Sequence, residues 1–376
     1  MFDNNEKKLG FGLMRLPLCD PADDGSVDPG KTCRLIDRFL EKGFVYFDTA
    51  WNYHNFMSEE IVGKCLTGRH PRSSFLLASK LHKNFIEKKE DRDAMFREQL
   101  RKTGAGYFDN YLLHSLETQS FQKYERLDCF RFLEDKKQAG YIRHIGFSFH
   151  DTPELLDRVL TDHPEMEFVQ LQINYLDWES PWIRSRECYE VARKHGLPVI
   201  VMEPVKGGTL AQVPPEVIRM LNAMNPEASA ASWAVRFAAS LSNVKMVLSG
   251  MSTTEQLEDN TSYMTEFLPL REEEKKVLLQ AASIITQQTA IPCTGCSYCT
   301  PGCPMRIPIP KVFSLYNEDK REAPTKGWSA TALSYRELVR DTGKPGDCIG
   351  CGQCEKICPQ HLPIIRHLTE AARHFG

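Results

Sequence analysis

The sequence predicts a (β/α)8 barrel over residues 1–288, followed by a small cysteine-rich domain over residues 289–376. Two observations in the first part support the barrel: eight short apolar runs recur along it, and helix-forming segments lie between consecutive runs. Eight strands that alternate with helices over about 280 residues are what such a barrel requires. A third observation defines the second domain, because Cys, Pro and Gly concentrate beyond Thr289 and long periodic segments stop there.

The apolar runs are predicted to be parallel strands. Each is rich in Val, Ile, Leu or Phe and nearly continuous in hydrophobicity, as expected for strands that are covered on both faces. They span residues 10–16, 44–50, 75–81, 108–114, 144–149, 168–174, 197–204 and 245–250. An open, doubly wound sheet is the alternative. The strand count favours the barrel, and no Gly-x-Gly-x-x-Gly motif follows the first run.

Helix-start and helix-stop residues delimit the segments between the strands. Asp28 and Pro29 can serve as N-cap and first-turn residue of a helix that ends at Gly43. Further starts are predicted at Ser58, Thr152-Pro153 and Asn225-Pro226, a stop at Gly196, and helices over residues 271–288 and 335–340. Each lies between or after the predicted strands, as the barrel and its appended domain require.

Composition and charge exclude several classes of partner. The formal net charge is only -3 and no long basic run occurs, so we expect neither nucleic acid nor an anionic membrane as a partner. The first ten residues are polar and lack the pattern of a signal peptide. No apolar stretch approaches the roughly 20 residues that a membrane span needs. A cytoplasmic location is the resulting expectation.

Cysteine residues are distributed unevenly along the chain. Eight of the thirteen lie between Cys293 and Cys358. In a cytoplasmic protein such a concentration indicates metal ligation rather than disulfides. The other five are expected to be unreactive free thiols; they are Cys19, Cys33, Cys65, Cys129 and Cys188.

The eight clustered cysteines form two copies of one motif, Cys-x2-Cys-x2-Cys-x3-Cys-Pro. This spacing is that of the bacterial ferredoxin run, in which the fourth cysteine ligates the other cluster. We therefore predict two [4Fe-4S] clusters, one held by Cys293, Cys296, Cys299 and Cys358, the other by Cys348, Cys351, Cys354 and Cys303. Structural zinc is the alternative, but four-ligand zinc sites leave the third cysteine and the Cys-Pro of each run unexplained.

Four polar residues follow the predicted strands on the side where barrel enzymes carry their active sites. Asp48 and Tyr53 follow the second strand, Lys80 ends the third, and His114 ends the fourth. Each alone is weak evidence, since strand-end Lys and His residues are commonly structural. Together the four residues would place groups that can donate or accept protons at the same end of the barrel.

The segments FDTAWNYHN, ASK and LLHSLE, in this order, resemble the tetrad segments of the aldo/keto reductase superfamily. The resemblance covers roughly residues 8–265 and implies a nicotinamide-dependent barrel enzyme that reduces carbonyls or oxidises alcohols. The opening LGFGLMRLP and the paired cysteine runs further resemble the branch that is fused to a C-terminal, two-cluster ferredoxin-like domain.

This resemblance implies a role for each tetrad residue. Tyr53 would protonate the carbonyl oxygen, and Lys80 would lower the pKa of the Tyr53 phenol. Asp48 would pair with Lys80, and His114 would orient the substrate carbonyl.

The resemblance also implies contacts with NAD(P)H. Ser148 and Gln170 would bind the nicotinamide carboxamide, and Asn260 would reach the adenine. Met202 stands where the family often stacks a tyrosine. Gly250 and Gln256 stand where it often has the lysine and arginine that bind a 2′-phosphate, which leaves the choice between NADH and NADPH open.

Three functional hypotheses follow. The first is a carbonyl or alcohol oxidoreductase that acts on a small molecule and has an electron-transfer domain. The second is an electron-transfer protein whose clusters serve a flavin or another cofactor at the barrel and exchange electrons with a partner protein. No flavin motif is present, although barrels can bind a flavin phosphate without one. The third, a non-catalytic sensor or scaffold, leaves Asp48, Tyr53, Lys80 and His114 without a purpose.

Overall fold

A computed structural model describes residues 7–21, 23–321 and 330–376. Within them, eight parallel strands close into a barrel in the order β1 to β8, and β1 pairs with β8. This confirms the predicted barrel. The strands are β1 Leu9–Gly12, β2 Tyr46–Asp48, β3 Leu76–His82, β4 Phe108–Leu116, β5 Ile142–Phe149, β6 Phe168–Gln172, β7 Val199–Met202 and β8 Val244–Ser249.

The α-helices follow the strands in the first part of the chain and continue through its C-terminal part. They are α1 Pro29–Glu41, α2 Ser58–Val62, α3 Lys89–Thr103, α4 Thr118–Arg126, α5 Cys129–Gln138, α6 Pro153–Asp162, α7 Ser185–Lys194, α8 Pro215–Met224, α9 Ala230–Ala239, α10 Thr254–Thr265, α11 Glu272–Gln288, α12 Ile309–Arg321, α13 Ala330–Leu338, α14 Gln353–Lys356 and α15 Ile364–Phe375. Among the described residues, no helix has both the length and the apolarity that a membrane span requires.

Local sequence signals explain several helix boundaries. The Asp28 side chain accepts from the Lys31 N–H at 2.9 Å, and Pro29 occupies the first turn of α1, as predicted. The Thr152 hydroxyl caps α6 in the same way. Gly196, with φ of +69°, follows the end of α7 and allows the chain to turn towards β7.

The predicted helix start at Asn225-Pro226 is wrong. Asn225 instead ends α8, and α9 begins only at Ala230. The Asn225 Oδ1 accepts from the Glu227 N–H at 3.1 Å, which stabilises a turn between the two helices. Asn can cap a helix start or close a local turn, and the sequence signal is the same for both.

The prediction of five free thiols outside the cluster motifs is wrong for two of them. Cys33 on α1 and Cys65, near the end of α2, form a disulfide with a Cα–Cα distance of 4.6 Å. Cys129 and Cys188 are buried free thiols, and burial raises the pKa of each to about 12. Cys19 is free and exposed. Spacing could not reveal the pairing, because the two residues lie 32 positions apart.

The chain divides into two compact units by contact density. One comprises Met1–Pro204 and Ala231–Lys275 and contains the barrel strands, and the other comprises Val205–Ala230 and Lys276–Gly376. The predicted boundary after residue 288 therefore remains a proposal about the domain limits.

The C-terminal part of the second unit is helical in its described residues. Helices α12 and α15 pack around an apolar core that includes Val312, Phe313 and Leu368. The Tyr335 and Phe375 rings stack at 4.1 Å, and His374 Nε2 lies 2.6 Å from Asp319 Oδ2. The predicted helix over residues 335–340 corresponds to the end of α13, while residues 322–329 of the spacer between the cysteine runs lie outside the described residues.

Candidate active site and cluster cavities

The barrel brings the predicted tetrad together at the carboxyl ends of β2, β3 and β4. The Lys80 ammonium donates to Asp48 Oδ1 at 2.5 Å and to the Thr49 carbonyl at 2.7 Å. It also lies 3.4 Å from the Tyr53 hydroxyl, to which it can donate. The Tyr53 and His114 rings are 6.1 Å apart and meet edge to face. All four side chains are buried, so these groups interact with little screening by water.

Burial sets the charge states around Tyr53. Desolvation lowers the pKa of Lys80, and the adjacent Asp48 carboxylate opposes this by favouring the ammonium. Desolvation also lowers the pKa of His114 well below its usual range, and it lowers the pKa of His82 to about 3. Both imidazoles are therefore neutral near neutral pH. They can donate or accept hydrogen bonds, but they are poor sources of a proton for a reaction.

One atom of His114 has no hydrogen-bond partner among the described residues. This atom, Nδ1, is buried, although buried polar atoms are usually paired. His82 packs edge-on against the same ring at 4.7 Å. An imidazole with an unused polar atom can accept a hydrogen bond from a ligand, or donate one in the other tautomer.

The loop after Tyr53 has an unusual backbone that holds this tyrosine in place. Residues 54–56 all have positive φ values, between 50° and 71°. The ring of His54 anchors the loop, since Nε2 accepts from the Leu16 N–H at 3.1 Å and Nδ1 lies 3.0 Å from the Asp24 carbonyl. The first contact makes Nε2 the acceptor, so the proton lies on Nδ1. Three left-handed residues in succession are costly and persist only where the surroundings fix them.

An aromatic surface continues outward from the tetrad. The His82 ring contacts Phe85 at 4.9 Å, and Phe85 contacts Phe56 at 5.3 Å. Phe56 and Phe85 are 39% and 44% exposed, which is unusual for large apolar side chains. Together with Tyr53 and His114 they form a continuous apolar wall that starts at the reactive groups.

A buried carboxyl group that the sequence did not indicate lies behind the tetrad. Glu59 on α2 is fully buried, and its Oε1 accepts from the Ser79 hydroxyl at 2.7 Å and from Gln99 Nε2 at 2.6 Å. The same Gln99 nitrogen lies 3.0 Å from the Lys80 carbonyl, to which it can donate. Glu59 Oε2 has no partner among the described residues. The network ties α2 and α3 to the strand that carries Lys80.

Burial raises the pKa of Glu59 from about 4.5 to about 7, although Lys102 and Lys80 favour the carboxylate. A raised pKa in the folded state means that the free energy of unfolding falls as the pH rises from the unfolded-state pKa to the folded-state pKa. A shift of about 2.5 pKa units corresponds to about 3 kcal/mol. The Glu59→Gln variant has no carboxyl group at this position, so its free energy of unfolding should not fall in this way. We therefore expect the thermal midpoint of the variant to rise relative to that of wild type as the pH increases from about 5 to about 8.

Anaerobic thermal denaturation of both proteins at several pH values measures this difference. Glu60 lies next in sequence and is exposed, so Glu60→Gln is the matched control and should show no such trend. A constant difference between Glu59→Gln and wild type over the whole pH range would contradict the raised pKa of Glu59.

The residues predicted to contact a dinucleotide are distributed around the same end of the barrel. Ser148 is buried and its hydroxyl accepts from the Ser115 N–H at 2.8 Å. Gln170 Nε2 donates to Asp48 Oδ2 at 3.2 Å, so this residue also supports the tetrad. Met202 is half-buried at the end of β7. Asn260 is buried and its Nδ2 donates to the Ser249 hydroxyl at 2.7 Å.

Arg15, which follows β1, lies beside the region after β8, and the sequence did not indicate this contact. A Cβ atom at Gly250 would lie 2.7 Å from Cγ of Arg15, so the arginine stem occupies the space of the missing side chain. The Ser252 hydroxyl donates to the Arg15 carbonyl at 2.7 Å. Gln256 is exposed and accepts from the Ser252 N–H at 2.7 Å. Arg15 is therefore next to the positions at which the aldo/keto reductase resemblance expects a phosphate-binding lysine and arginine.

Two cavities in the C-terminal part are lined by the eight motif cysteines. Cys293, Cys296, Cys299 and Cys358 line the first cavity, and Cys303, Cys348, Cys351 and Cys354 line the second. Each has an empty volume of about 330 Å³, counting space that is open to solvent. The fourth cysteine of each run thus lies with the first three of the other run, which is the grouping that the sequence predicts.

Each cavity is lined by one set of four cysteine thiols. Among the described residues, no three Cys, His, Asp or Glu side chains converge closely enough to hold one metal ion. Burial, reinforced by neighbouring thiols, raises the pKa of Cys299, and burial raises the pKa of Cys354 to about 11. Thiolates form in such surroundings only with a compensating positive charge. Four thiols around a void are the donor set of a cubane.

Comparison with known proteins identifies both parts of the chain. Residues 8–281 match the profile described as "Aldo/keto reductase family". The chain therefore belongs to the aldo/keto reductase family. Residues 292–362 match the profile of a "4Fe-4S dicluster domain", so this member is an oxidoreductase that carries an iron–sulfur domain C-terminal to its barrel in the sequence.

Individual relatives are similar to parts of this chain. "Uncharacterized oxidoreductase YqkF" of Bacillus subtilis is 24% identical over 307 residues, which cover 73% of this chain and 92% of that protein. The holo form of the aldo-keto reductase AKR11C1 from Bacillus halodurans is 26% identical with a TM-score of 0.59, covering 73% of this chain and 91% of its own. The alpha 1 subunit of the acetyl-CoA decarbonylase/synthase complex of Methanosarcina barkeri is 27% identical over 81 residues, 22% of this chain and 8% of that subunit.

Proposed function

We propose that this enzyme reduces a carbonyl group of a small molecule, or oxidises the corresponding alcohol, with NAD(P)H bound at the barrel. We further propose that two [4Fe-4S] clusters in the C-terminal domain exchange electrons with a redox partner protein. The observation that carries the first proposal is the buried contact of the Lys80 ammonium with both Asp48 and the Tyr53 hydroxyl. Family membership favours this function over a flavin-based electron carrier or a scaffold.

A bound nicotinamide supplies or accepts the hydride, and the protein residues handle the proton. Tyr53 protonates the carbonyl oxygen, because the neighbouring imidazoles are neutral and only the phenol lies beside an ammonium group. Lys80 stabilises the phenolate that remains, and Asp48 fixes the position of Lys80. His114 orients the carbonyl through its unpaired Nδ1, and Gln170 holds the second oxygen of Asp48.

The clusters are assigned to the two cysteine sets that line the two cavities. The first set comprises Cys293, Cys296, Cys299 and Cys358, and the second comprises Cys303, Cys348, Cys351 and Cys354. Clusters of this kind exchange single electrons when assembled. The residues around them control access by solvent and the local charge.

The aromatic wall next to the tetrad bears on the substrate class. Phe56 and Phe85 are exposed, and the rings of His82 and His114 continue the wall inward to Tyr53. Apolar surface at the mouth of a site favours substrates that bury apolar area on binding. We therefore propose an aromatic or otherwise apolar carbonyl compound rather than a highly charged one.

Fluorescence titration of NADPH and NADH against anaerobically purified protein, followed by turnover with apolar and charged carbonyl compounds, tests this function. We expect both dinucleotides to bind, with weaker discrimination for NADPH than the family norm. Gly250 and Gln256 are neutral, and loss of one charge-assisted contact of roughly 1.5–3 kcal/mol weakens binding about ten- to a hundredfold. Failure of both dinucleotides to bind, together with a flavin absorbance spectrum, would contradict the proposed function.

Substitution of Arg15 tests whether this residue provides the remaining preference for NADPH over NADH. Its stem lies against Gly250, so we expect Arg15→Met to weaken NADPH binding about tenfold or more and to affect NADH much less. Arg34 on α1 is exposed and Arg34→Met is the matched control for the loss of one positive charge. Lys206, a second cation on the segment after β7, is buried and donates to Gln360. A hundredfold preference for NADPH that survives Arg15→Met would show that other groups bind the phosphate.

A further inference from the structure

A short segment of the second unit lies against the first cysteine cavity. Lys206 and Gly207, which follow β7 in the chain, both have positive φ values, +47° and +62°. A Cβ atom at Gly207 would lie 1.9 Å from the Thr294 carbonyl oxygen, so only glycine allows this approach. The Lys206 ammonium donates to Gln360 Oε1 at 3.4 Å. The backbone of this segment is therefore fixed against residues that neighbour Cys293 and Cys358.

Both contact residues belong to the wall of the first cavity. Thr294 and Gln360 line it together with the first cysteine set. Lys206 is only 3% exposed, so its charge lies inside the protein and is poorly screened by water. Among the described residues, neither cavity has a lysine or arginine in its lining, but those that neighbour the lining of the second cavity in sequence are all exposed, unlike Lys206; they are Arg306, Lys356 and Arg366. One cysteine of the second cavity, Cys351, is exposed as well. The two cavities therefore have different electrostatic surroundings although their cysteine motifs are repeats.

Adding an electron to an iron–sulfur cluster makes it more negative. A positive charge held nearby in a medium of low dielectric constant stabilises the reduced form and raises the reduction potential. We propose that Lys206 is a positioning residue for electron transfer that raises the reduction potential of the cluster held by the first cysteine set, so that this cluster is reduced before the other. This inference rests on the proposed assignment of the two clusters.

Redox titration of the anaerobically prepared full-length protein, followed by electron paramagnetic resonance, tests the proposal. In Lys206→Met we expect the more positive of two midpoints to fall, with about a tenfold change in the equilibrium between oxidised and reduced cluster, which is about 59 mV for one electron. The other midpoint should stay in place. Lys206→Arg keeps the charge and should restore most of the wild-type value.

Lys311 provides the matched control. It lies beside Pro310 at the same cavity but is exposed, so Lys311→Met removes one charge that water and salt already screen. We expect a much smaller shift for this variant, and one that disappears at high salt. An equal shift in Lys311→Met and Lys206→Met would overturn the proposal, and so would an unchanged midpoint in a Lys206→Met protein with full iron content.

If the Lys206→Met protein incorporates too little iron, Gln360→Glu provides a second test of the proposal. It places a carboxylate where the amide oxygen now accepts from the Lys206 ammonium, so the potential of the first cluster should fall with the lysine still present. No fall in this variant would refute the role of local charge. Wild-type protein without iron would refute the cluster assignment itself, whereas two normal clusters with unshifted potentials would refute only the role of Lys206.

Discussion

Replacing Tyr53 with phenylalanine is expected to reduce turnover by about two to four orders of magnitude, the range in which general acids contribute. The substitution removes the hydroxyl that lies 3.4 Å from the Lys80 ammonium and leaves the ring in its contact with His114. Dinucleotide binding should stay nearly unchanged, because the proton donor acts on the transition state rather than on the bound cofactor. Steady-state kinetics with a verified carbonyl substrate, and fluorescence titration of the dinucleotide, measure both quantities.

Tyr175→Phe is the matched control for this experiment. Tyr175 is also buried, and its hydroxyl has no hydrogen-bond partner among the described residues, so its removal takes away the same atom without breaking a contact. We expect turnover close to wild type. If Tyr53→Phe also retained turnover within a few-fold of wild type, Tyr53 would not be the acid.

Lys80→Met should lower turnover to a similar extent, since the phenol then loses the charge that stabilises its anion. It also leaves Asp48 buried without its ion-pair partner, which can cost about 3–5 kcal/mol of stability. The double variant Lys80→Met, Asp48→Asn separates the two effects. It should regain stability, measured by thermal denaturation, while turnover stays low. Recovery of turnover in the double variant would mean that Lys80 acts only through folding.

Anaerobically isolated protein is expected to be brown and to contain about eight iron and eight sulfide per chain. The reason is that two cavities, each lined by four cysteines, have the donor set of a cubane. Metal analysis, sulfide determination and the visible spectrum measure the content. Zinc in place of iron, without broad visible absorbance, would contradict the assignment of iron–sulfur clusters.

Single cysteine variants test how the ligands are shared between the two runs. Cys358 lines the first cavity, so Cys358→Ser should damage the same cluster as Cys296→Ser. Cys303 lines the second, so Cys303→Ser should resemble Cys351→Ser. Resonance spectra of the reduced variants compare the remaining signals. Cys188→Ser is the control, because that free thiol is buried, belongs to neither cysteine motif and should leave the iron content unchanged.

If Cys303→Ser instead resembled Cys296→Ser, each run would hold its own cluster and the grouping across runs would be incorrect. The Lys206 proposal would then need reassignment as well, because Gln360 and Thr294 neighbour cysteines of both runs.

The sequence by itself determined the features that are encoded locally. Apolar runs predicted all eight barrel strands, because the burial of a parallel strand on both faces leaves a continuous hydrophobic pattern. The cap at Asp28 and the proline after it predicted α1, because these residues bond within one turn. The cysteine spacing identified the iron–sulfur domain, since one tight loop must present three thiolates.

Only the tertiary structure decided which distant residues meet. Glu59 follows the first residue of a short helix, and no sequence pattern distinguishes it from the exposed Glu60. Closure of the barrel brings it to Ser79 and Gln99 behind Lys80. The Cys33–Cys65 disulfide likewise depends on how α1 packs against the end of α2.

The two basic residues with proposed roles illustrate the same limit. Arg15 and Gly250 are separated by almost the whole barrel sequence, yet they are neighbours because β1 pairs with β8. Lys206 and Gln360 lie 154 positions apart in the sequence, and they meet through the turn at Gly207. Local patterns report which element a residue belongs to, whereas contacts between elements, and the burial of residues such as Glu59, follow from closure of the sheet and from packing. The contacts of Arg15 and Lys206 are therefore evident only in the folded chain.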